Sequence, residues 1–345
     1  MSEAKPEIQN VVLRAMEDAD VPAAAALMTA SLGAAPSGID REELFRWKHL
    51  ENPFGRSIAF VAELEGAVVG LRTFMRWRFA RSGQGGELLA VRAVDTATSP
   101  LVQRRGVFSR LTTRALDAAA SEGVAFIFNT PNDRSLPGYL KLGWHRLADR
   151  KLRARVRRPD RLIRAAAARD LGSGVATAPP AGSQLLPADA FFGDPASVAP
   201  FHRAQPAGGR LSTPRWEGYL RWRYVAGPLP YAGLSEGSPP AAVAILRLRN
   251  RGSLREAVVC EAVCEPGAES ALRRLLARIP SAARADHAVV HFDEGWPAAG
   301  GLSRAGYLPL PRVGMHFVVR TVSASRPDPL EDASWGLTLG DLELF

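Results

Sequence analysis

The residues of this 345-residue chain with the clearest chemical pattern lie within 91–144. Gln103-Arg104-Arg105-Gly106-Val107-Phe108 begins three residues after Pro100 and opens a segment in which Phe108, Leu111, Ala115, Leu116 and Ala119 recur at helical spacing. A helix is therefore expected to start near Gly106. Its first turn, which includes Ser109, offers unpaired backbone N–H groups at the positive end of the helix dipole. Gly106 lets a ligand approach the backbone, and Arg104 and Arg105 stand beside it. A turn of this composition suits a polyphosphate. Further on come Asn132, then Tyr139 seven residues later, then Gly143 four after that, followed by Trp144.

These residues need elements to hold them. Residues 91–98 are apolar and β-branched and end at Ser99-Pro100, which predicts a strand running into the basic turn. A second strand is expected at 124–129 and a short helix around Tyr139. Upstream, the pattern predicts a strand at 10–14, an alanine-rich helix at 18–32, and a helix at 41–50 capped by Asp40 with Glu43 in a capping box. Strands at 58–64 and 67–79 join at Glu65-Gly66, a hairpin signal, and Glu87 opens the strand that leads into the core stretch. The hairpins make the sheet mixed rather than doubly wound.

The ordered set of motifs resembles the acyl-CoA-binding core of the GNAT (Gcn5-related) N-acetyltransferases. That family binds the CoA pyrophosphate on a Q/R-x-x-G-x-G/A turn, and residues 103–108 sit on it, with Phe108 where a small residue is usual. The resemblance implies an α/β fold with a mixed sheet and acetyl-CoA as cosubstrate. It also implies that the pantetheine arm pairs with the backbone edge of Val94, Thr96 and Thr98, where that strand splays from the next, which ends at Asn129. Asn132 would bond the pantetheine chain or cap the following helix. Tyr139 resembles the family's general acid, a phenol able to protonate the leaving thiolate, and reads otherwise as a half-buried packing residue. An amine must lose a proton before attack, and Glu87 and Asp95 are the carboxylates near the catalytic strand that could relay it; each also reads as a surface or packing charge.

Length and composition bound the rest. An apolar content of 46% over 345 residues suffices for two cores. No apolar run approaches the ~20 residues of a membrane span, so no membrane association and a cytoplasmic location are expected. Cys260 and Cys264, the only cysteines, would lie ~13 Å apart on one extended segment, too far to bridge. The six histidines lack ligand spacing, so no metal is expected. The net charge of +9 raises nucleic-acid binding, but no recognition motif accompanies it and it is disfavoured. In 152–157 arginines alternate with Leu152, Ala154 and Val156, as in a strand with one wet face; a solvated edge or an anionic-partner site would both fit.

The second half echoes the first. Arg221-Trp222-Arg223-Tyr224 parallels Arg46-Trp47-Lys48-His49, residues 241–248 parallel 67–74, and Arg304-Ala305-Gly306-Tyr307 parallels Lys141-Leu142-Gly143-Trp144. Where the first half has its arginine turn, the second has Glu265-Pro266-Gly267-Ala268-Glu269, whose acids would repel a pyrophosphate. The expected organisation is two tandem GNAT-like units: an active domain at 1–158, a linker at 159–189 with one short helix, a degenerate cofactor-free domain at 190–322, and a tail at 323–345. Mycothiol synthases and Eis-type acetyltransferases share such an architecture. In the Eis type the terminal carboxylate serves as base, a role Phe345 could fill; a docked or frayed tail is the plainer reading. The expected acceptor is a primary amine on a small molecule. A non-catalytic acyl-CoA sensor and a FemABX-like aminoacyl transferase using tRNA are the rivals, and the oligomeric state stays open.

Overall fold

The computed structural model describes residues 11–81, 85–170, 172 and 174–343. In chain order the elements are β1 (Val12–Ala15), α1 (Val21–Leu32), α2 (Arg41–His49), β2 (Ile58–Leu64), β3 (Ala67–Arg81), β4 (Glu87–Thr98), α3 (Val107–Ser121), β5 (Phe126–Asn129), α4 (Leu136–Lys141) and β6 (His145–Arg146). Then come β7 (Arg150–Val156), α5 (Pro159–Ala167), β8 (Val175–Thr177), β9 (Leu186–Pro187), α6 (Ala188–Phe192), α7 (Pro195–Arg203), β10 (Leu211–Ser212), α8 (Glu217–Tyr224), β11 (Ala232–Glu236) and β12 (Ala242–Arg251). The chain closes with β13 (Leu254–Cys264), α9 (Glu269–Ala282), β14 (His287–Val290), α10 (Pro297–Gly301), β15 (Leu308–Met315), β16 (Val318–Thr321) and α11 (Leu339–Leu342).

Local signals set these elements. Asp40 accepts from the Glu43 amide at 2.8 Å and starts α2. Glu65 and Gly66 both take positive φ, 52° and 80°, and close the β2–β3 hairpin with the backbone twist that antiparallel strands prefer. The mixed α/β sheet expected from the sequence is found twice. One sheet runs β1-β2-β3-β4-β5-β16-β6, the other β15-β7-β14-β13-β12-β11-β9, and in each the central pair, β4–β5 or β13–β14, is parallel.

Two compact units result: 1–78 with 88–146 and 317–330, and 79–87 with 147–316 and 331–345. They exchange strands. β16, late in the chain, inserts between β5 and β6 of the first sheet, and β7, which follows β6, inserts between β14 and β15 of the second. The sequence-based boundary at 158 therefore falls one strand late. The segment 159–189 is not a free linker, because β8 pairs with β12 and β9 with β11. Nor is β7 a solvated edge. It is an interior strand whose Arg153 and Arg155, with Arg157 just past its end, donate to the backbone carbonyls of Tyr307, Ala305 and Ala285. Arginine alternation marked the strand correctly and its place in the sheet wrongly, since a long arginine can lie along a neighbouring loop and satisfy carbonyls there.

In the first unit, one face of the sheet packs Phe74, Val91 and Ile127 against Ala115, Ala119, Tyr139 and Trp144, with Val318 of β16 in the same core. The other face packs Val61, Leu71 and Ala97 against Val21, Met28 and Phe45 of α1 and α2. Cys260 and Cys264 are buried free thiols on β13. Among the described residues, no helix is long and apolar enough to cross a membrane.

Candidate functional site

β4 and β5 are paired only at Ala90–Phe126, Val91–Ile127 and Arg92–Phe128. Beyond Arg92 the two strands part, and β4 continues to Thr98 with that edge unpaired to β5. Asp95, three residues past the last pair, takes φ +46°, a left-handed conformation rare for a side-chain-bearing residue. Val94, Thr96 and Thr98 are all half-buried along this stretch. Gln103 Nε2 donates to the Thr98 carbonyl at 3.0 Å and ties the basic turn to the strand end. Arg104 has φ +61° and Gly106 φ +77°, and α3 begins at Val107. No side chain among the described residues caps α3. A Cβ built on Gly106 would meet no atom within 4 Å, so the backbone there is open to a ligand. Arg104, Gly106 and Ser109 are exposed and Arg105 is half-buried beside them. Open backbone amides, the helix's positive end and two arginines form a cradle that fits a pyrophosphate.

Tyr139 lies on α4, buried, with its hydroxyl accepting a hydrogen bond from Arg72 Nη1 at 3.0 Å. The same nitrogen donates to Thr96 Oγ1 at 2.5 Å, so the phenol is tied to the free stretch of β4 through one guanidinium. Phe108 does not point into the pyrophosphate turn. Its ring stands edge-to-face with Tyr139 at 6.3 Å, and Trp144 packs against Tyr139 at 5.3 Å. The residue that departs from the family pattern thus walls the tyrosine. Asn132 holds the turn that leads into α4: its Oδ1 accepts from the amide and the hydroxyl of Ser135, each at 3.0 Å, while α4 has no side-chain cap of its own among the described residues. Asn129 is buried at the end of β5, paired with Val318.

The acid candidates are not brought together. Asp95 is buried in a cluster: it pairs with Lys48, accepts from His49 Nε2 at 2.9 Å, and His49 Nδ1 meets Ser57 Oγ at 2.8 Å. Burial pushes the Asp95 carboxyl up, but Lys48 and His49 together overcome it and hold the group well below the ordinary carboxylate range. Burial likewise pulls Lys48 and His49 down, against Asp95. A carboxylate held this firmly ionised is a weak acceptor for an ammonium proton. Glu87 is exposed at the opposite end of β4, roughly 30 Å from Thr96 at strand rise. It lines a pocket of about 580 Å³ in the second unit, with Phe201, Thr213 and Arg215. Phe345 lies outside the described residues. Arg72, Lys48 and His49 are the residues that the sequence reading left out of the site. Their signals were Arg72 inside a run of apolar strand residues and Lys48-His49 at the buried end of α2.

Residues 12–147 match the model of the family described as acetyltransferase (GNAT) domain. The chain carries a GNAT domain. By that family it is an acyltransferase. Solved structures with this fold include a GCN5-related N-acetyltransferase from Anabaena variabilis, at 11% identity and TM-score 0.59, covering 91% of this chain and 73% of that one. Eis1 from Mycobacterium abscessus matches at 16% identity and TM-score 0.54, over 90% and 73%. The N-myristoyltransferase of Saccharomyces cerevisiae with bound myristoyl-CoA matches at 10% and 0.57, over 94% and 82%. At such identities the likeness establishes the fold. No curated protein matches the chain.

The second unit of this GNAT-fold chain repeats the parting of strands and fills it. β13 pairs with β14 only over Glu256–Val259 and His287–Val290. Past that point the C-terminal segment takes the free backbone: Asp293 N donates to Leu337 O at 2.8 Å and Leu339 N to His291 O at 2.9 Å. A Cβ on Gly340 would stand 2.4 Å from Tyr224 Oη and 3.1 Å from Cys260 O of β13, so only glycine lets the tail lie this close. Arg215, buried, bonds both Glu261 and Asp341. Glu343 takes Arg247 at 3.0 Å and Arg249 at 2.8 Å. The tail is docked as far as it is described.

Proposed function

We propose that the first unit is an acetyl-CoA-dependent N-acetyltransferase that passes the acetyl group directly to a primary amine on a small molecule. The observation that carries this reading is the end of β4–β5 pairing at Arg92, which leaves an unpaired strand edge between the Tyr139 hydroxyl and the open turn at Gly106. A pantetheine arm is an extended chain with amide groups, and a free strand edge is its natural partner. In this reading the backbone at Val94, Thr96 and Thr98 takes the arm and Asn129 lines its path. Gln103, Arg104, Arg105 and the amides of Gly106, Val107, Phe108 and Ser109 hold the pyrophosphate. Tyr139 gives its proton to the sulfur as the thioester breaks. Asn132 acts through the turn it holds at Ser135, which leads into α4 and Tyr139.

The second unit is read as a GNAT-like half that holds no donor. Its strand gap contains the chain's own tail, and Glu265 and Glu269 stand where the first unit has arginines. A panel of small amines identifies the acceptor. In that panel, wild type is expected to release CoA thiol with at least one small primary amine, and Tyr139→Phe to lower kcat by about 10²-fold or more, the range of general-acid catalysis. Unchanged turnover in Tyr139→Phe would remove the phenol from the reaction.

A further inference from the structure

Arg72 is fully buried on β3, its hydrogen bonds go to Thr96 and Tyr139, and no carboxylate among the described residues pairs with it. Two other buried arginines are better compensated: Arg215 pairs with Glu261 and Asp341, and Arg223, which has no carboxylate among the described residues either, donates to the Tyr231 hydroxyl and to the carbonyls of Gly340 and Glu343. Arg72 has Nη1 on Thr96 and Tyr139, while its Nε and Nη2 meet no hydrogen-bond acceptor. Its guanidinium lies 4.8 Å from the ring centre of Phe74, 5.5 Å from that of Phe108 and 5.3 Å from that of Tyr139. Ring faces attract a cation weakly compared with the hydration it has given up. A buried charge with this little compensation works against stability, and proteins retain such groups where the reaction uses them.

What Arg72 touches indicates the use. Its Nη1–H donates to the Tyr139 oxygen, so the phenol is an acceptor toward Arg72, and Tyr139 donates to no group among the described residues. The phenolic proton is left for whatever faces the hydroxyl. We propose that Arg72 is the positioning residue of Tyr139: it aims the phenolic proton at the leaving sulfur and holds the phenolate that proton transfer leaves behind. This rests on Tyr139 being the general acid. The amine nitrogen's electron pair forms the C–N bond and the C–S bond breaks, with its pair on sulfur. Sulfur takes the Tyr139 proton, and the phenolate oxygen stays on Arg72 Nη1–H. The surplus proton of the new amide nitrogen then restores the phenol through solvent. During this cycle the cation acquires the counter-charge that the resting protein does not give it. That explains why no acid is built beside it: a permanent carboxylate would neutralise Arg72 and disfavour the phenolate.

The alternative is that Arg72 merely ties β3, β4 and α4 together, and a double-mutant cycle separates the two. Arg72→Met, Tyr139→Phe and the double variant are assayed for CoA thiol release with the small-amine panel, with melting temperature and acetyl-CoA calorimetry on each. Arg72→Met is expected to lower kcat by about 10-fold or more while changing KM for acetyl-CoA by less than about 3-fold. In the Tyr139→Phe background the same substitution should change kcat by less than about 2-fold, because the group it serves is gone. It should also melt no lower than wild type. Arg72→Lys, which keeps the charge but not the fork, should lose kcat in wild type and not in Tyr139→Phe, and serves if the methionine variant does not fold. Added guanidinium ion should restore part of kcat to Arg72→Ala. Equal losses in both backgrounds, or a kcat loss that tracks a fall in melting temperature, overturns the proposal while leaving the general acid in place. Wild-type kcat in Tyr139→Phe, or no transfer by wild type, removes the reading on which it rests.

Discussion

Asp95 reads from the sequence as either a base or a packing charge, and its surroundings favour the second. A carboxylate on the catalytic strand suggested a base, but the Lys48-His49 pair at the end of α2 turns it into the anion of a buried cluster. Asp95→Asn would leave the Lys48 ammonium buried and uncompensated, at a cost of about 3–5 kcal/mol, read as a lower melting temperature. The pH dependence follows from the sign of the shift. A carboxyl held below its unfolded range contributes stability that is present above about pH 4 and is lost as pH falls toward its lower folded value. Melting temperature should therefore drop on acidification below about pH 4 in wild type, and less steeply in Asp95→Asn. Tyr139, Gly106 and the arginine turn were legible because their spacing is local and ordered. Arg72 was not: in the run of 67–79 it alternates with Leu71 and Thr73 as Arg76 and Arg78 do, and only the packing of Phe108 and α4 over it shows that it is inside.

Among the elements, the strands, helices and hairpin of the first half were legible from period and turn chemistry, the short elements of 159–212 beyond one helix and those of the tail were not, and the internal echo holds in the structure. Lys48-His49 faces Asp95 on β4 as Arg223-Tyr224 faces the Glu261 region of β13, with Tyr224 donating to Glu261 at 2.9 Å. Sheet order was not legible. Nothing in residues 150–156 or 318–321 says which sheet they join, because an apolar strand fits either gap and the choice is made by long-range pairing. The tail was undervalued for a related reason: Trp335, Leu337, Leu339 and Leu342 look like a short apolar end until β13 and β14 part to receive them. Trp335 is fully buried and edge-to-face with Phe79 at 5.3 Å, so Trp335→Ala should cost about 3–5 kcal/mol of stability by denaturant unfolding. Glu256 gives this unit an acid limb of its own. Burial pushes its carboxyl up, but His287 and Arg249 prevail and bring it down to about 2. Its contribution is present above the ordinary glutamate value and fades as pH falls toward about 2, so Glu256→Gln should flatten that part of the melting curve.

For the molecule as a whole, strand exchange means that neither sheet is built from one contiguous half. A chain stopped at residue 316 lacks β16 and leaves β5 and β6 without their shared partner, two open edges inside what should be a closed run of hydrogen bonds. Such a chain is expected to aggregate on size exclusion, and a 12–147 fragment to do the same, although that span alone carries the GNAT match. The division of labour between one open strand gap and one filled by the tail predicts a single donor site per chain. Isothermal calorimetry with acetyl-CoA on wild type and on Gly106→Trp tests this most directly. The account predicts one site per chain with a Kd on the order of micromolar, abolished by the tryptophan at the open turn, while the melting temperature shows the variant folded. No binding by wild type, two sites per chain, or binding that survives Gly106→Trp would contradict it.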